Sequence, residues 1–246
     1  EPMVAWVVRA ARAAGAGRVV CVVGHGADAV EAEVEARFPG LARFARQTEL
    51  LGTGHAARVG LEALSDLEGP VLILSGDVPL LEAASLEALL DEVEPGRRPV
   101  ALLTTVLEDP TGYGRVLRDE AGHVVRIVEH ADATRAERAC AEINAGVYAV
   151  DADFLRSALD RLSPDNAQGE YYLTDIVALA LNDDLLVAGL EVSRAEVQGA
   201  NDRAQLAALE RLARDRAAAR HLEAGVSLLD PESAWIQPQV EIAQDA

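Results

Sequence analysis

Asp77 follows the apolar run VLILS through Gly76, which puts a carboxylate at the carboxyl end of an expected central strand. A carboxylate there can hold Mg2+, an ion that takes one or two protein oxygens and completes its shell with water and substrate phosphates. A turn aspartate ahead of Pro79 is the ordinary alternative. Gly52 and Gly54 flank Thr53 just before a helical pattern that opens near His55. Backbone N–H groups at such a helix start, with no side chains in the way, suit a base edge or a phosphate. Taken alone, Thr53 reads better as an N-cap with the glycines forming its turn. Asn201 joins EVQGA to a helix beginning DRAQL. In isolation the N-cap is again the better reading, and a metal ligand through the amide carbonyl is the other. Gly112 and Gly114 bracket Tyr113, Glu129 closes VVRIVEH and Asn144 lies in EINAG. Two glycines let a ligand approach the backbone, and an acid beside an amide is what sugar hydroxyls and an acylamino group need. Each of these also has a turn or strand-edge explanation. His25, in the glycine-rich turn VVGHGAD, reads as a local hydrogen-bonder rather than a base.

Alternating elements must position these residues. Helical periodicity over 3–15, 28–38, 53–65 and 83–93 alternates with the apolar strands RVVCVVG, LARFA, PVLILSG and PVALLTTVL. That alternation predicts a three-layer α/β domain with a mixed, mainly parallel sheet, whose ligands sit at the carboxyl ends of the strands. YGRVLRDEAGHVVRIVEH predicts two strands around a turn, followed by a short helix over ADATRAERA and the strand EINAGVYAV. After Asp151 come a helix to about Leu162, the long polar loop SPDNAQGEYYL, a helix from Thr174, the strand LLVAGLEV and a long helix from Asp202 to about Glu223. A loop of that length in a compact domain points to function. The tail from 225 onward has two prolines and no helical period, which predicts a linker.

Composition removes several classes. The net charge of the 246-residue chain is −19, and no basic run offsets it, so polymeric nucleic acid is not an expected partner. All 22 basic residues are arginine, which excludes a Walker loop within the chain. Cys21 and Cys140 are too few for a disulfide framework and wrongly spaced for structural zinc, so they read as free thiols of a cytoplasmic protein. No apolar run approaches the ~18 residues of a membrane span.

Together and in this order, GHGAD, LGTGHA, GDVPL, DPTGYGR, IVEH, EIN, NAQGEYYLTD, NDR and LEAGVSLLDP resemble one family. It is the uridyltransferase domain of the bifunctional N-acetylglucosamine-1-phosphate uridyltransferase/glucosamine-1-phosphate acetyltransferases, the GlmU family. The resemblance runs from about Met3 to the end, and the runs 109–115 and 166–175 are specific to that family. It implies a Rossmann-like nucleotide-diphospho-sugar transferase fold over 1–224, with 225–246 leading toward a left-handed β-helix. It also implies Mg2+-dependent transfer of UMP from UTP to N-acetylglucosamine 1-phosphate, giving UDP-N-acetylglucosamine and pyrophosphate for cell-wall synthesis. By matching motifs, Asp77 and Asn201 would be the metal ligands. Gln47, Gly52 and Thr53 would read the uracil and ribose, and Ser75 and Gly76 would line the ribose side. Gly114, Glu129 and Asn144 would contact the amino sugar, with Tyr172 and Thr174 as walls. The family's first strand, glycine-rich signature loop and basic residues have no match in this chain, nor do the β-helix and the trimer it builds. The expectation is therefore a marginally folded, inactive piece, with a silent sugar-nucleotide binder or another sugar-1-phosphate nucleotidyltransferase as alternatives.

Overall fold

Two apolar strands with both faces covered set the layers of the structure. In the computed structural model, which describes residues 1–64, 66–237 and 240–246, two compact units are distinguished, Glu1–Val197 and Gln198–Ala246. The first runs α1 (Met3–Ala13), β1 (Val19–Val23), α2 (Ala27–Arg37), β2 (Ala42–Arg46), α3 (Thr53–Glu62), β3 (Pro70–Ile73) and α4 (Ala83–Asp91). It continues with β4 (Val100–Val106), β5 (Arg115–Arg118), β6 (Val124–Val128), β7 (Glu142–Asp151), α5 (Ala152–Arg161), α6 (Asp175–Asn182), β8 (Val187–Glu191) and α7 (Arg194–Val197). The second contains α8 (Arg203–Glu223).

Val100 and Leu102 of β4, with Tyr148 and Val150 of β7, point into a core completed by Leu155 and Leu159 of α5 and Ile176 and Val177 of α6. The alternate residues Ala101, Leu103, Val147 and Ala149 point the other way, against Val7 and Ala10 of α1 and Leu86 and Leu89 of α4. This is the three-layer α/β arrangement expected, and it explains why Val100–Leu103 is an unbroken apolar run: a strand covered on both faces has no polar side. β1 and β2 form a parallel pair with their own cluster of Val8, Cys21, Val23, Ala27 and Val34.

The larger sheet is mixed, in the order β6-β5-β7-β4-β8, with β3 also on β7. β4 and β8 are parallel, whereas β7 runs antiparallel to β3, β4 and β5. β3 ends its pairing at Ile73↔Tyr148, and β5 meets β7 at Arg115↔Ile143. Between those two points β7 bulges: Leu102 faces Tyr148 and Thr104 faces Asn144, so β7 spends more residues than β4 there. Gly146 sits in the bulge with φ +72°, a conformation that strains any residue with a Cβ. The diverging ends of β3 and β5 and this bulge make a notch at the edge of β7.

The helix expected over 131–139 is reduced to a 3-10 turn, Glu137–Ala139. Its start is closed off locally, since Glu137 Oε2 accepts from Thr134 N–H and Thr134 Oγ1 accepts from Glu137 N–H, while Arg126 holds the same carboxylate. In the second unit, the tail beyond α8 carries turns and neither helix nor strand among the described residues. Asp245 N–H donates to Gly225 O at 3.0 Å, and Arg214 stacks over Trp235 at 5.3 Å. No helix among the described residues is long and apolar enough to cross a membrane.

Candidate active site

An unbroken series of contacts surrounds the notch, beginning at the end of β2. Gln47 is anchored by its own N–H to Val23 O at 2.8 Å, and its Nε2 donates to Gly52 O at 3.2 Å and lies 3.0 Å from His55 Nδ1. The Gln47 amide oxygen has no hydrogen-bond partner among the described residues. Gly52 has φ +101° and is itself the N-cap of α3. Thr53 is therefore the first helical residue and not the cap. Its hydroxyl oxygen is used from the other side, accepting Leu173 N–H at 3.0 Å. The two glycines are required by close packing: a methyl group at Gly52 would lie 2.7 Å from Tyr171 O, and one at Gly54 would lie 2.5 Å from Leu162 Cδ1 and 3.0 Å from Tyr171 O. Two backbone bonds, Tyr171 N–H to Leu51 O and Gly54 N–H to Tyr171 O, both 2.8 Å, stitch the loop to the segment beyond Gly169.

From that segment the series passes to Thr174, Glu129, Gly114 and Asn144. Thr174 donates its hydroxyl to Glu129 Oε1 at 2.9 Å. Glu129 lies directly after β6, and a methyl group at Gly114 would sit 3.3 Å from its Oε2, so only glycine leaves the carboxylate this close to the start of β5. Gly114 O accepts Asn144 N–H at 2.9 Å, Asn144 Oδ1 accepts Gly146 N–H at 3.0 Å, and Ser75 Oγ donates to Gly146 O at 3.3 Å. Two residues after Ser75 comes Asp77, half-buried, whose carboxylate takes no hydrogen bond or ion pair among the described residues.

Burial dominates the electrostatics here. It lifts Glu129 above the ordinary carboxylate range, with Asp175 and Asp132 adding repulsion and the Thr174 bond pulling the other way. Asp175 is raised by burial and by Asp132. The Tyr172 phenol, between Gln168 Oε1 at 2.8 Å and Asp132 Oδ2 at 3.2 Å, is pushed up to about 12 by burial and by Asp132. Its hydroxyl is thus committed within the protein, and its ring is what it offers as a wall. Asp132 also accepts Ala167 N–H at 2.9 Å, so one aspartate holds the middle of the loop and, through Tyr172, its far end.

The structure thus brings Gln47, Gly52, Thr53, Ser75, Gly76, Asp77, Gly114, Glu129, Asn144, Tyr172 and Thr174 into one contiguous set. Asn201, in the second unit, is not a helix cap. Asp202 caps α8 by accepting Gln205 N–H at 2.7 Å, and Asn201 contributes only its backbone N–H, to Gln205 Oε1. Its side-chain amide is left without a partner among the described residues. Residues that sequence reasoning missed are Tyr171, Leu173, Asp132, Gly146 and Tyr148. Tyr148 lies fully buried, with its hydroxyl close to Asn144 and Glu129. Of these only Gly146 left a signal, as a glycine inside an apolar strand. A separate cleft of about 620 Å3, by Arg97, Arg98, Arg118 and β8, is lined by arginines already paired with Glu94, Glu92 and Glu142.

Comparison with known proteins follows the same lines. Residues 1–228 match the family model of the MobA-like NTP transferase domain. The "Bifunctional protein GlmU" of Chromohalobacter salexigens is 47% identical over 246 residues, covering 100% of this chain and 53% of that protein. That of Caldanaerobacter subterraneus subsp. tengcongensis is 44% identical over 245 residues, covering 100% and 52%. That of Anaeromyxobacter dehalogenans is 47% identical over 247 residues, covering 100% and 50%. The chain spans about half the length of the curated relatives it matches.

Proposed function

The chain belongs to the MobA-like NTP transferase domain family, and from that premise we propose that it transfers UMP from UTP to N-acetylglucosamine 1-phosphate, giving UDP-N-acetylglucosamine and pyrophosphate. The observation that supports this best is the series of contacts from Gln47 to Ser75, two residues before Asp77, which gathers the proposed nucleotide-reading, sugar-reading and acidic residues into one set. In this reading the free Gln47 amide oxygen accepts from the uracil N3–H, and the backbone of Gly52 and Thr53 faces the base. Glu129 accepts a sugar hydroxyl, Asn144 addresses the acylamino group, and Gly114 keeps the backbone bare where the sugar passes. Ser75 fixes the β3 end on the bulge, so that Gly76 and Asp77 stand at the ribose and phosphates.

In-line phosphoryl displacement needs positioning and charge neutralisation more than covalent help. The donor set fits Mg2+: no group of three or more His, Cys, Asp or Glu that could hold a metal occurs among the described residues, yet Asp77 keeps an uncommitted carboxylate at a strand end. That is the demand of an ion held by one or two carboxylates plus substrate phosphates. Asp77 would hold it, and when bound it would neutralise charge on the α-phosphate. For Asn201 a ligand role is proposed on the family resemblance alone. The division into a catalytic domain over 1–224 and a linker over 225–246, and a cytoplasmic location, belong to the same proposal.

The test is pyrophosphate release with UTP, Mg2+ and N-acetylglucosamine 1-phosphate, run beside dTTP and glucose 1-phosphate, together with calorimetric binding of UDP-N-acetylglucosamine. The expected result is release that depends on UTP and on the acetylated sugar. Equal use of dTTP or of glucose 1-phosphate would move the reading to a general sugar-1-phosphate nucleotidyltransferase, and binding without release to a silent sugar-nucleotide binder.

A further inference from the structure

Arg58 lies on α3, one turn and a half beyond the Gly52–Thr53 loop, and among the described residues it has no carboxylate partner. Its Nη2 donates to Leu159 O, its guanidinium carbon lies 5.6 Å from the centroid of the Tyr171 ring, and its buried Nε–H has no acceptor among the described residues. Leaving a guanidinium N–H buried and unpaired is costly, so the arrangement persists only where other contacts over-determine it. Two do so. Leu159 is in the last turn of α5, where helix carbonyls lack partners and the dipole attracts a cation, and the tyrosine face attracts the same cation.

The consequence runs through Tyr171. Its N–H and O hold Leu51 and Gly54 on either side of Gly52, and a methyl group at Gly52 would already collide with Tyr171 O. The position of the nucleotide loop is therefore the position of the Tyr171 backbone, and the ring of that residue is held by Arg58.

Resting on the uridylyl-transfer reading above, we infer that Arg58 is a positioning residue for nucleotide recognition, which acts through Tyr171 and touches no substrate. Lysine keeps a cation over the ring but not the flat fork that also reaches Leu159, so it should restore the function in part. Methionine keeps the stem and volume and removes the charge, which guards against loss of folding.

Calorimetric titration of the 246-residue chain with UDP and, separately, with N-acetylglucosamine 1-phosphate tests this. R58M should weaken UDP binding by about fivefold to tenfold and leave the sugar phosphate unaffected. R58K should recover part of that loss. Y171L should reproduce the defect, and R58M combined with Y171L should be no worse than the worse single variant, since both break one linkage. Unchanged UDP affinity in R58M, equal weakening of both ligands, or additive losses in the double variant would overturn the inference while leaving the transferase reading intact. A parent chain that binds neither UDP nor UDP-N-acetylglucosamine would overturn both.

Discussion

Thr174 donates its hydroxyl to Glu129 Oε1 at 2.9 Å, and through that bond the long loop reaches the end of β6. Hydrogen bonds to charged groups contribute about 1.5 to 3 kcal/mol. T174V should therefore raise the KM for N-acetylglucosamine 1-phosphate by about tenfold or more, and T174S should restore it. Steady-state kinetics with the sugar phosphate varied at saturating UTP will show this, and an unchanged KM would remove Thr174 from the sugar side of the site.

Glu129 carries a pH signature. Burial raises its pKa in the folded state, so between the ordinary carboxylate range and the raised value the native protein holds more proton than the unfolded chain. In that window stability falls as pH rises, because ionising the buried group opposes folding. E129Q removes the ionisation. Thermal melts should show the variant gaining on the parent as pH climbs from the acid side through the window, and holding that gain above it. A stability difference independent of pH would mean the carboxylate is not desolvated as described.

Among the described residues Asp77 has no hydrogen bond or ion pair whose loss would weaken the fold, and it is proposed to hold the metal. D77N should leave the melting temperature nearly unchanged, within the ~0.5 kcal/mol typical of substitutions that break no contact, while lowering kcat by more than about 100-fold through lost charge at the phosphates. Retained turnover would exclude Asp77 as a ligand.

Gly52 and Gly112, both at positive φ, are separable by what surrounds them. G52A combines a positive φ with a contact of 2.7 Å to Tyr171 O, whereas G112A, at φ +87°, meets nothing within 4 Å. Overpacking and backbone strain each cost about 1 to 3 kcal/mol. G52A should therefore lower the melting temperature clearly more than G112A, which carries the strain alone. Equal effects would show that the loop can move away from Tyr171.

How much of this the sequence could reveal depended on the range of the cause. The apolar run 100–103 announced a strand covered on both faces, since burial is a local property, whereas Asp77, expected at the end of a central strand, lies in a turn four residues beyond β3, whose partner among the described residues is β7 alone. Thr53 and Asn201 both invited the cap reading, and both times a neighbour was the cap: Gly52 for α3 and Asp202 for α8. Local rules favour a polar cap, and Leu173, 120 residues further along, had already claimed the Thr53 hydroxyl. The Gly52–Gly54 pair likewise suggested open backbone for a ligand, although what demands glycine is the carbonyl of Tyr171 and the side chain of Leu162. Contacts of that separation leave no period or spacing to read. The helix expected over 131–139 failed for a nearer reason, because Asp132 is drawn away to Ala167 and Thr134 and Glu137 close a tighter turn.

β7 meets β3, β4 and β5, all of which precede it in the chain: Ile73 meets Tyr148, Val100 meets Val150, and Arg115 meets Ile143. During synthesis from the N-terminus those strands leave the ribosome before the one strand that joins them. Until β7 emerges, β3 and β4 present open edges, the state in which apolar strands pair with wrong partners. The notch that holds the candidate site also cannot exist before then, because its floor is the bulge at Gly146. Nascent chains stalled just short of residue 142 should accordingly be captured by holdase chaperones and cleaved readily by protease. Chains stalled after β8 has cleared the exit tunnel should resist both.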